Sequence, residues 1–264
     1  MIFVTNDDGI ESPGLTALAQ ALKSIDEVYI VAPDRERSAI GMAITLDHPL
    51  RAKQVDNHAW AVDGTPVDCV DLAVSALLPA HPKLLVSGVN HGQNLGHDIH
   101  FSGTVAAAKK ATFLGIPSMA VSLISGPPYH YETATSAACR LAKLVLANGL
   151  TPGILLNVNV PNCPLSMIKG FEVARQDLGT YSATAIKRVD RVGKPYYWIG
   201  GERAQVDARE DSDLNVVKRR CVSITPVQLD FTAHHEIEPL KQRLKDENLE
   251  EDGEAGIELR KSDC

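Results

Sequence analysis

Asp7 and Asp8 are adjacent carboxylates, flanked by Asn6 and Gly9 and preceded by Ile2, Phe3, Val4 and Thr5. A short apolar, β-branched and aromatic run of this kind reads as a buried strand. Two carboxylates at the C-terminal end of such a strand are costly to desolvate unless positive charge meets them. In open α/β sheets that edge is where ligands bind. Oxygen donors packed together there suit a hard divalent cation such as Mg²⁺ or Mn²⁺. Turn chemistry is the competing explanation, since Asp-Gly is a common turn pair and an aspartate can cap the helix that follows. On these residues alone both explanations stand.

Three more polar segments follow apolar runs. Pro33-Asp34-Arg35-Glu36-Arg37-Ser38 comes after the run at 27–32. Residues 87–96 (SGVNHGQNLG) come after the run at 83–87, and Ser102-Gly103-Thr104 closes the same loop and opens a helix. Gly88, Gly92, Gly96 and Gly103 lie within sixteen residues around Asn90 and Asn94. Glycine allows close backbone approach to a ligand, and Asn90 offers a neutral oxygen to a hard cation. Ser-Gly-Thr at a helix start offers unpaired amides and hydroxyls at the positive end of the helix dipole, an arrangement that suits an anion. An ordinary N-cap without a ligand would look the same. In a doubly wound sheet these loops converge on one edge, and that convergence favours the metal explanation for Asp7 and Asp8.

The elements that must position these residues alternate. Apolar runs at 2–5, 27–32, 83–87, 118–122 and 154–160 read as strands. Helical spacing occupies 14–23, 65–78, 104–114 and 132–147, with Ser12 as N-cap and Pro13 in the first turn of the first helix. Strand, helix, strand in this rhythm predicts a three-layer α/β/α fold with a mostly parallel sheet. Residues 42–63 read as an irregular hairpin region. The pattern changes at 184–206, where Tyr196-Tyr197-Trp198-Ile199 follows the turn Gly193-Lys194-Pro195. This reads as a projecting hairpin whose aromatics mark an interface or a satellite core. A late strand at 221–225 and a helix from His234 to about residue 245 end the predicted domain, 1–245. The acidic, polar tail 246–264 is expected to be weakly ordered.

The chain has 264 residues, a net charge of −7, 44% hydrophobic and 22% charged residues. This is an ordinary globular balance, and the acidic charge argues against binding nucleic-acid polymer. No apolar run approaches the ~20 residues of a membrane span. The first residues lack a basic segment followed by an apolar one, so a cytoplasmic protein is expected. Cys69, Cys139, Cys163, Cys221 and Cys264 include no CxxC pair and read as free thiols. The nine histidines form no zinc-type pair, and the doublet His234-His235 cannot share a helix face. No GxGxxG follows the first strand.

NDDG at 6–9, PDRERS at 33–38, GTPVDCV at 64–70, SGVNHGQNLG at 87–96 and FSGTVAAA at 101–108 together resemble the SurE family, the stationary-phase survival-protein nucleotidases. The resemblance covers about residues 1–235 in motif type, order and spacing. It implies a metal-dependent phosphatase acting on nucleoside 5′- and 3′-monophosphates and on short polyphosphate. It implies a Rossmann-like fold with a projecting hairpin and C-terminal segment used in homodimer or homotetramer assembly. It also implies one divalent ion per subunit, Mg²⁺ or Mn²⁺, held by Asp7, Asp8, Ser38 and Asn90, with phosphate on Asn94, Ser102, Gly103 and Thr104. The chain departs from the family pattern at Lys109-Lys110, where an acidic residue is common, and at Phe101, where tyrosine is frequent. His97-Asp98-Ile99 keeps the family pattern, and His100 adds a titratable group.

The chemistry expected of this set is hydrolysis of a phosphomonoester. Asp7 or Asp8, whichever is less tightly held, accepts a proton from water. The Ser-Gly-Thr amides and Asn94 neutralise charge on the phosphoryl oxygens, and His100 is a candidate proton donor to the leaving oxygen. A bulky residue at Gly103 is expected to block the phosphate while metal binding is retained. Two rivals stand beside it: an aspartyl-phosphate phosphatase, which usually carries Asp-x-Asp rather than adjacent carboxylates, and a non-catalytic nucleotide or metal sensor.

Overall fold

Strand β1 (Ile2–Thr5) is buried along its whole length because its alternate side chains enter two cores. Ile2 and Val4 pack with α1 (Pro13–Leu22) on one face of the sheet. Phe3 packs on the other face with α2 (Pro66–Leu72) and α3 (Gly103–Phe113). The first face is completed by α4 (Tyr131–Asn148). A run buried on both faces needs no polar alternation, which is why the predicted strands read as continuous apolar stretches. The result is a three-layer α/β/α fold, as expected. The structure, a computed structural model, describes residues 1–181, 184–200, 203–204, 209–247 and 249.

The further strands are β2 (Val28–Pro33), β3 (Ala52–Asp56), β4 (Ala59–Val62), β5 (Leu84–His91), β6 (Ser118–Leu123), β7 (Ile154–Val160) and β8 (Gly170–Val173). They continue with β9 (Thr180–Tyr181), β10 (Thr184–Val189), β11 (Pro195–Gly200), β12 (Arg203–Ala204) and β13 (Cys221–Gln228). The main sheet runs β3-β4-β2-β1-β5-β6-β7-β13-β8. From β4 to β7 every pairing is parallel. β3 is antiparallel on β4, β13 is antiparallel on β7, and β8 runs parallel to β13. β2 flanks β1 on one side and β5 flanks it on the other, so the winding reverses there. A crevice therefore opens beyond the C-terminal ends of β1 and β5.

Three elements differ from expectation. The helix predicted over 65–78 is α-helical only to Leu72, then passes through a π-helical turn, Ala73–Leu77. Leu78 is extended, as a residue before proline prefers. The strand predicted at 83–87 runs on to His91, so Gly88 and Asn90 lie in strand pairing rather than in a loop. Gly88 makes this possible: its φ is +141°, and a Cβ there would lie 2.3 Å from the Val121 carbonyl oxygen. Of the region 42–63, only β3 and β4 form a hairpin.

β10 and β11 form a separate antiparallel sheet in which every residue is exposed, including Tyr196, Tyr197 and Trp198. Parts of the predicted 184–206 segment beyond Gly200 lie outside the described residues. The chain's contacts divide it into a unit Met1–Leu229 and a second unit beginning at Asp230. The second unit contains α5 (His234–Asp246), exposed throughout, with His234 Nε2 2.8 Å from Asp230 Oδ2. Most of the tail 246–264 lies outside the described residues, as does Cys264. Cys69, Cys139, Cys163 and Cys221 are free thiols. Among the described residues, no helix is long and apolar enough to cross a membrane.

Candidate active site

β1 delivers Asn6, Asp7 and Asp8 to the crevice, and Asn6 performs the turn chemistry. Its Nδ2 donates to the Gly9 carbonyl at 3.0 Å, and the Gly9 amide donates to its Oδ1 at 3.2 Å. The two carboxylates are left with other partners. Asp7 is only 4% exposed, and its Oδ1 accepts a hydrogen bond from the Thr104 hydroxyl. Its backbone carbonyl accepts from the Arg37 amide at 2.7 Å, which ties the loop after β2 to this turn. Asp8 Oδ2 accepts one long hydrogen bond, 3.4 Å, from the His91 amide.

Burial pushes the Asp7 carboxyl up to about 6; the neighbouring Asp8 adds to the rise, and the Thr104 hydroxyl opposes it. Burial also raises Asp8, against the opposing pull of His91. Among the described residues, neither carboxylate forms an ion pair with lysine or arginine. The crevice therefore holds two desolvated carboxylates that, among the described residues, no lysine or arginine compensates.

A cleft of about 240 Å³ lies here, lined by Asp7, Ser38, Asn90, His91, Asn94 and Ser102, with Asp98 and Phe101 also contributing. Its lining contains no lysine or arginine. Larger depressions lie beside Phe171, about 370 Å³, and beside Leu95, about 340 Å³. Neither gathers carboxylates with neutral oxygen donors, so the chemistry points to the smaller cleft. Asp8, Gly103 and Thr104 do not line it. Thr104 is fully buried behind Asp7, and its hydroxyl is engaged there. The position of a Cβ on Gly103 would be 2.8 Å from Asp7 Cβ and 2.9 Å from its Oδ2. That space is filled by Asp7; it does not open toward the cleft.

The remaining side chains are held as follows. Ser38 is exposed and donates to Glu36 Oε1 at 2.8 Å. Asn90 Nδ2 donates to the Gly92 carbonyl at 2.9 Å, leaving Oδ1 as an acceptor. Ser102 is the N-cap of α3, accepting from the Val105 amide at 3.1 Å, so its own O–H remains a donor. The GTPVD segment is structural: Thr65 and Asp68 form a capping box on α2, and Asp68 also accepts from the Thr45 amide and hydroxyl.

Asn94 depends on residues that the sequence analysis did not select. Its amide donates to Asn159 Oδ1 at 2.8 Å, and its Nδ2 donates to Ser122 Oγ at 2.8 Å. Its carbonyl accepts from Asn157 Nδ2 and Asn159 Nδ2, at 2.8 and 2.9 Å. Asn157 and Asn159 alternate along ILLNVNV, and two polar residues on one face of a buried strand were the available signal. Asp213 is fully buried and accepts from the Gly96 amide at 2.9 Å, fixing the next turn of the same loop. No sequence signal marked it.

His100 is absent from the cleft lining, and burial, with Lys109 and His97 assisting, lowers its pKa. Outside the lining, it is not placed to protonate a leaving oxygen in the cleft. The two departures at 109 and 110 also point elsewhere. Lys109 Nζ donates to the Ile99 carbonyl at 3.3 Å, and Lys110 pairs with Asp71 at 2.8 Å.

The chain is similar to known proteins along most of its length. The family model described as "Survival protein SurE" matches residues 2–183. The 5′-nucleotidase SurE of Pelobacter propionicus is 50% identical over 232 residues, covering 88% of this chain and 94% of the relative. That of Geobacter metallireducens is 49% identical over 241 residues, covering 91% and 96%. The crystal structure of the SurE protein from Aquifex aeolicus superposes with a TM-score of 0.83 at 40% identity, covering 92% of this chain and 98% of that one.

Proposed function

Since the chain belongs to the survival protein SurE family, we propose that it is a divalent-metal-dependent 5′-nucleotidase. The observation that carries this is the meeting of Asp7, Ser38, Asn90, Asn94 and Ser102 on one cleft. Its lining offers no lysine or arginine to a phosphate, while Asp7 and Asp98 add negative charge. A phosphate dianion would enter such a cleft only if a cation reversed the local field. The donor set fits a hard cation: Asp7 and Asp8 carboxylates, the Ser38 hydroxyl and Asn90 Oδ1 would hold Mg²⁺ or Mn²⁺. When bound, the ion supplies positive charge to a phosphoryl oxygen and acidity to a water.

The chain's own groups do the rest. The Ser102 hydroxyl, at the N-cap of α3, and the second Nδ2 proton of Asn94 receive the phosphate. Asp7 is held by Thr104, whereas Asp8 has one long hydrogen bond. Asp8 is therefore the less constrained carboxylate and accepts the proton from water. The substrates proposed are nucleoside 5′- and 3′-monophosphates, with short polyphosphate as a further one. The free thiols suit a reducing cytoplasm. The test is phosphate release from a panel of nucleotides after chelation and add-back of Mg²⁺ or Mn²⁺. Release that returns with either ion is expected; binding without turnover on the whole panel would make the protein a sensor.

We also propose a homodimer, or a tetramer built from it, with the β10–β11 hairpin and the segment after Cys221 crossing between subunits. The support is an isolated two-stranded sheet carrying exposed Tyr196, Tyr197 and Trp198. Such a hairpin is marginal alone in water, and exposed aromatic patches mark interaction surfaces. The native protein should sediment as a dimer or larger at micromolar concentration. Replacing 188–199 by a short Gly-Ser turn should give smaller species, and a native monomer would end the idea.

A further inference from the structure

An aromatic cluster adjoins the cleft and has no part in the chemistry above. His91 lines the cleft directly after Asn90, and its amide donates to Asp8. Its ring stacks on Tyr129, with centroids 5.1 Å apart and an interplanar angle of 20°. Tyr131 lies against both rings, 5.5 Å from His91 and 5.9 Å from Tyr129. The Tyr131 hydroxyl bonds to His91 Nε2, which fixes the imidazole. Tyr129 is 38% exposed, and His91 is exposed as well.

We propose that His91 and Tyr129 form the platform on which the nucleobase of the substrate stacks, with Tyr131 holding the His91 ring in place. This rests on the nucleotidase reading. A nucleotide whose phosphate sits between Asn94 and Ser102 has its base at some remove from the carboxylates, and His91 is the lining residue that carries the cleft over to a flat aromatic surface. Every base presents a π-face, so such a platform binds purines and pyrimidines alike without hydrogen-bond readout. Phe101 is the rival: it also lines the cleft and is 65% exposed, but it is a single ring. The Tyr129–His91–Tyr131 set is braced by mutual ring contacts and one hydrogen bond, so less side-chain freedom is lost when a base lands on it.

The test compares nucleoside 5′-monophosphates with ribose 5-phosphate, which has the phosphate and sugar but no base. Tyr129→Ala should raise KM for the nucleotides about tenfold and leave ribose 5-phosphate unchanged. Tyr131→Phe, which keeps the ring but frees His91, should give a smaller loss with the same selectivity. Adenosine binding by calorimetry in excess chelator needs neither metal nor turnover. It should be measurable in the wild-type protein and lost in Tyr129→Ala. A protein that turns over no phosphomonoester yet binds adenosine in a Tyr129-dependent way would keep the platform and overturn the enzyme. Equal losses on both substrates, no loss on either, or a base-selective loss in Phe101→Ala instead would overturn the platform.

Discussion

Asp7→Asn and Asp8→Asn are each expected to lower kcat/KM on the order of 10³-fold or more, while Asp7→Asn makes the metal-free protein more stable. The stability gain follows from the buried carboxylate. The folded-state pKa of Asp7 is raised from 3.8 to about 6. A raised carboxyl favours the native state when protonated. Its contribution is fully present below the unfolded pKa and is lost as pH rises through about 6. At pH 7.5 the ionised, uncompensated group costs about 3 kcal/mol relative to acid conditions. Asparagine carries no charge and can still accept the Thr104 hydrogen bond. Urea unfolding in excess chelator should therefore place Asp7→Asn above the wild type at pH 7.5, with the difference disappearing near pH 4. Asp8→Asn should move stability in the same direction by less, because Asp8 is only partly buried. With Mn²⁺ added, the wild type should gain stability and Asp7→Asn should not. A destabilised Asp7→Asn at pH 7.5, or full turnover in either variant after add-back, would show that the cation is held elsewhere. The trade of stability for activity is the usual one at a site built to bind charge.

The parts of this site that were legible in the sequence are those that depend on local order. The NDDG turn follows a strand buried on both faces, and Ser102 caps α3, so side-chain type and position along the chain were enough to find them. The polar loops were legible as a set because each follows an apolar run. What was not legible depends on strand pairing. Gly88 looks like a loop residue, yet it sits in β5 because only glycine can approach the Val121 carbonyl so closely. Asn157 and Asn159 gain their role from β7 lying within reach of the loop around Asn94, which sequence spacing does not encode. The same is true of Asp213, more than a hundred residues from the Gly96 amide it accepts from. The proximity of His91, Tyr129 and Tyr131 depends on β5 and β6 being neighbours in the sheet.

Gly103 is the position where the structure changes an expectation most directly. A Gly103→Val variant should lose activity by about 10²- to 10³-fold and should also lose metal affinity. A block to phosphate alone would spare the metal. The valine Cβ would stand 2.8 Å from Asp7 Cβ and 2.9 Å from Asp7 Oδ2. Contacts that short force a shift. The atoms in the way belong to a short, buried side chain fixed by Thr104, and no flexible tip can swing aside. Asp7 must move, and its hydrogen bond and its place among the cation donors move with it. Overpacking of this kind also costs about 1–3 kcal/mol of stability. Gly103→Ala separates the steric argument from helix propensity. Propensity alone would make alanine in α3 the better residue, whereas the contact with Asp7 is set by the Cβ that alanine already carries. Gly103→Ala should therefore be less stable than wild type and weaker in Mn²⁺ binding by calorimetry. If Gly103→Ala is more stable and Gly103→Val binds Mn²⁺ normally while its KM rises, then the glycine serves the phosphate and Asp7 tolerates the added carbon.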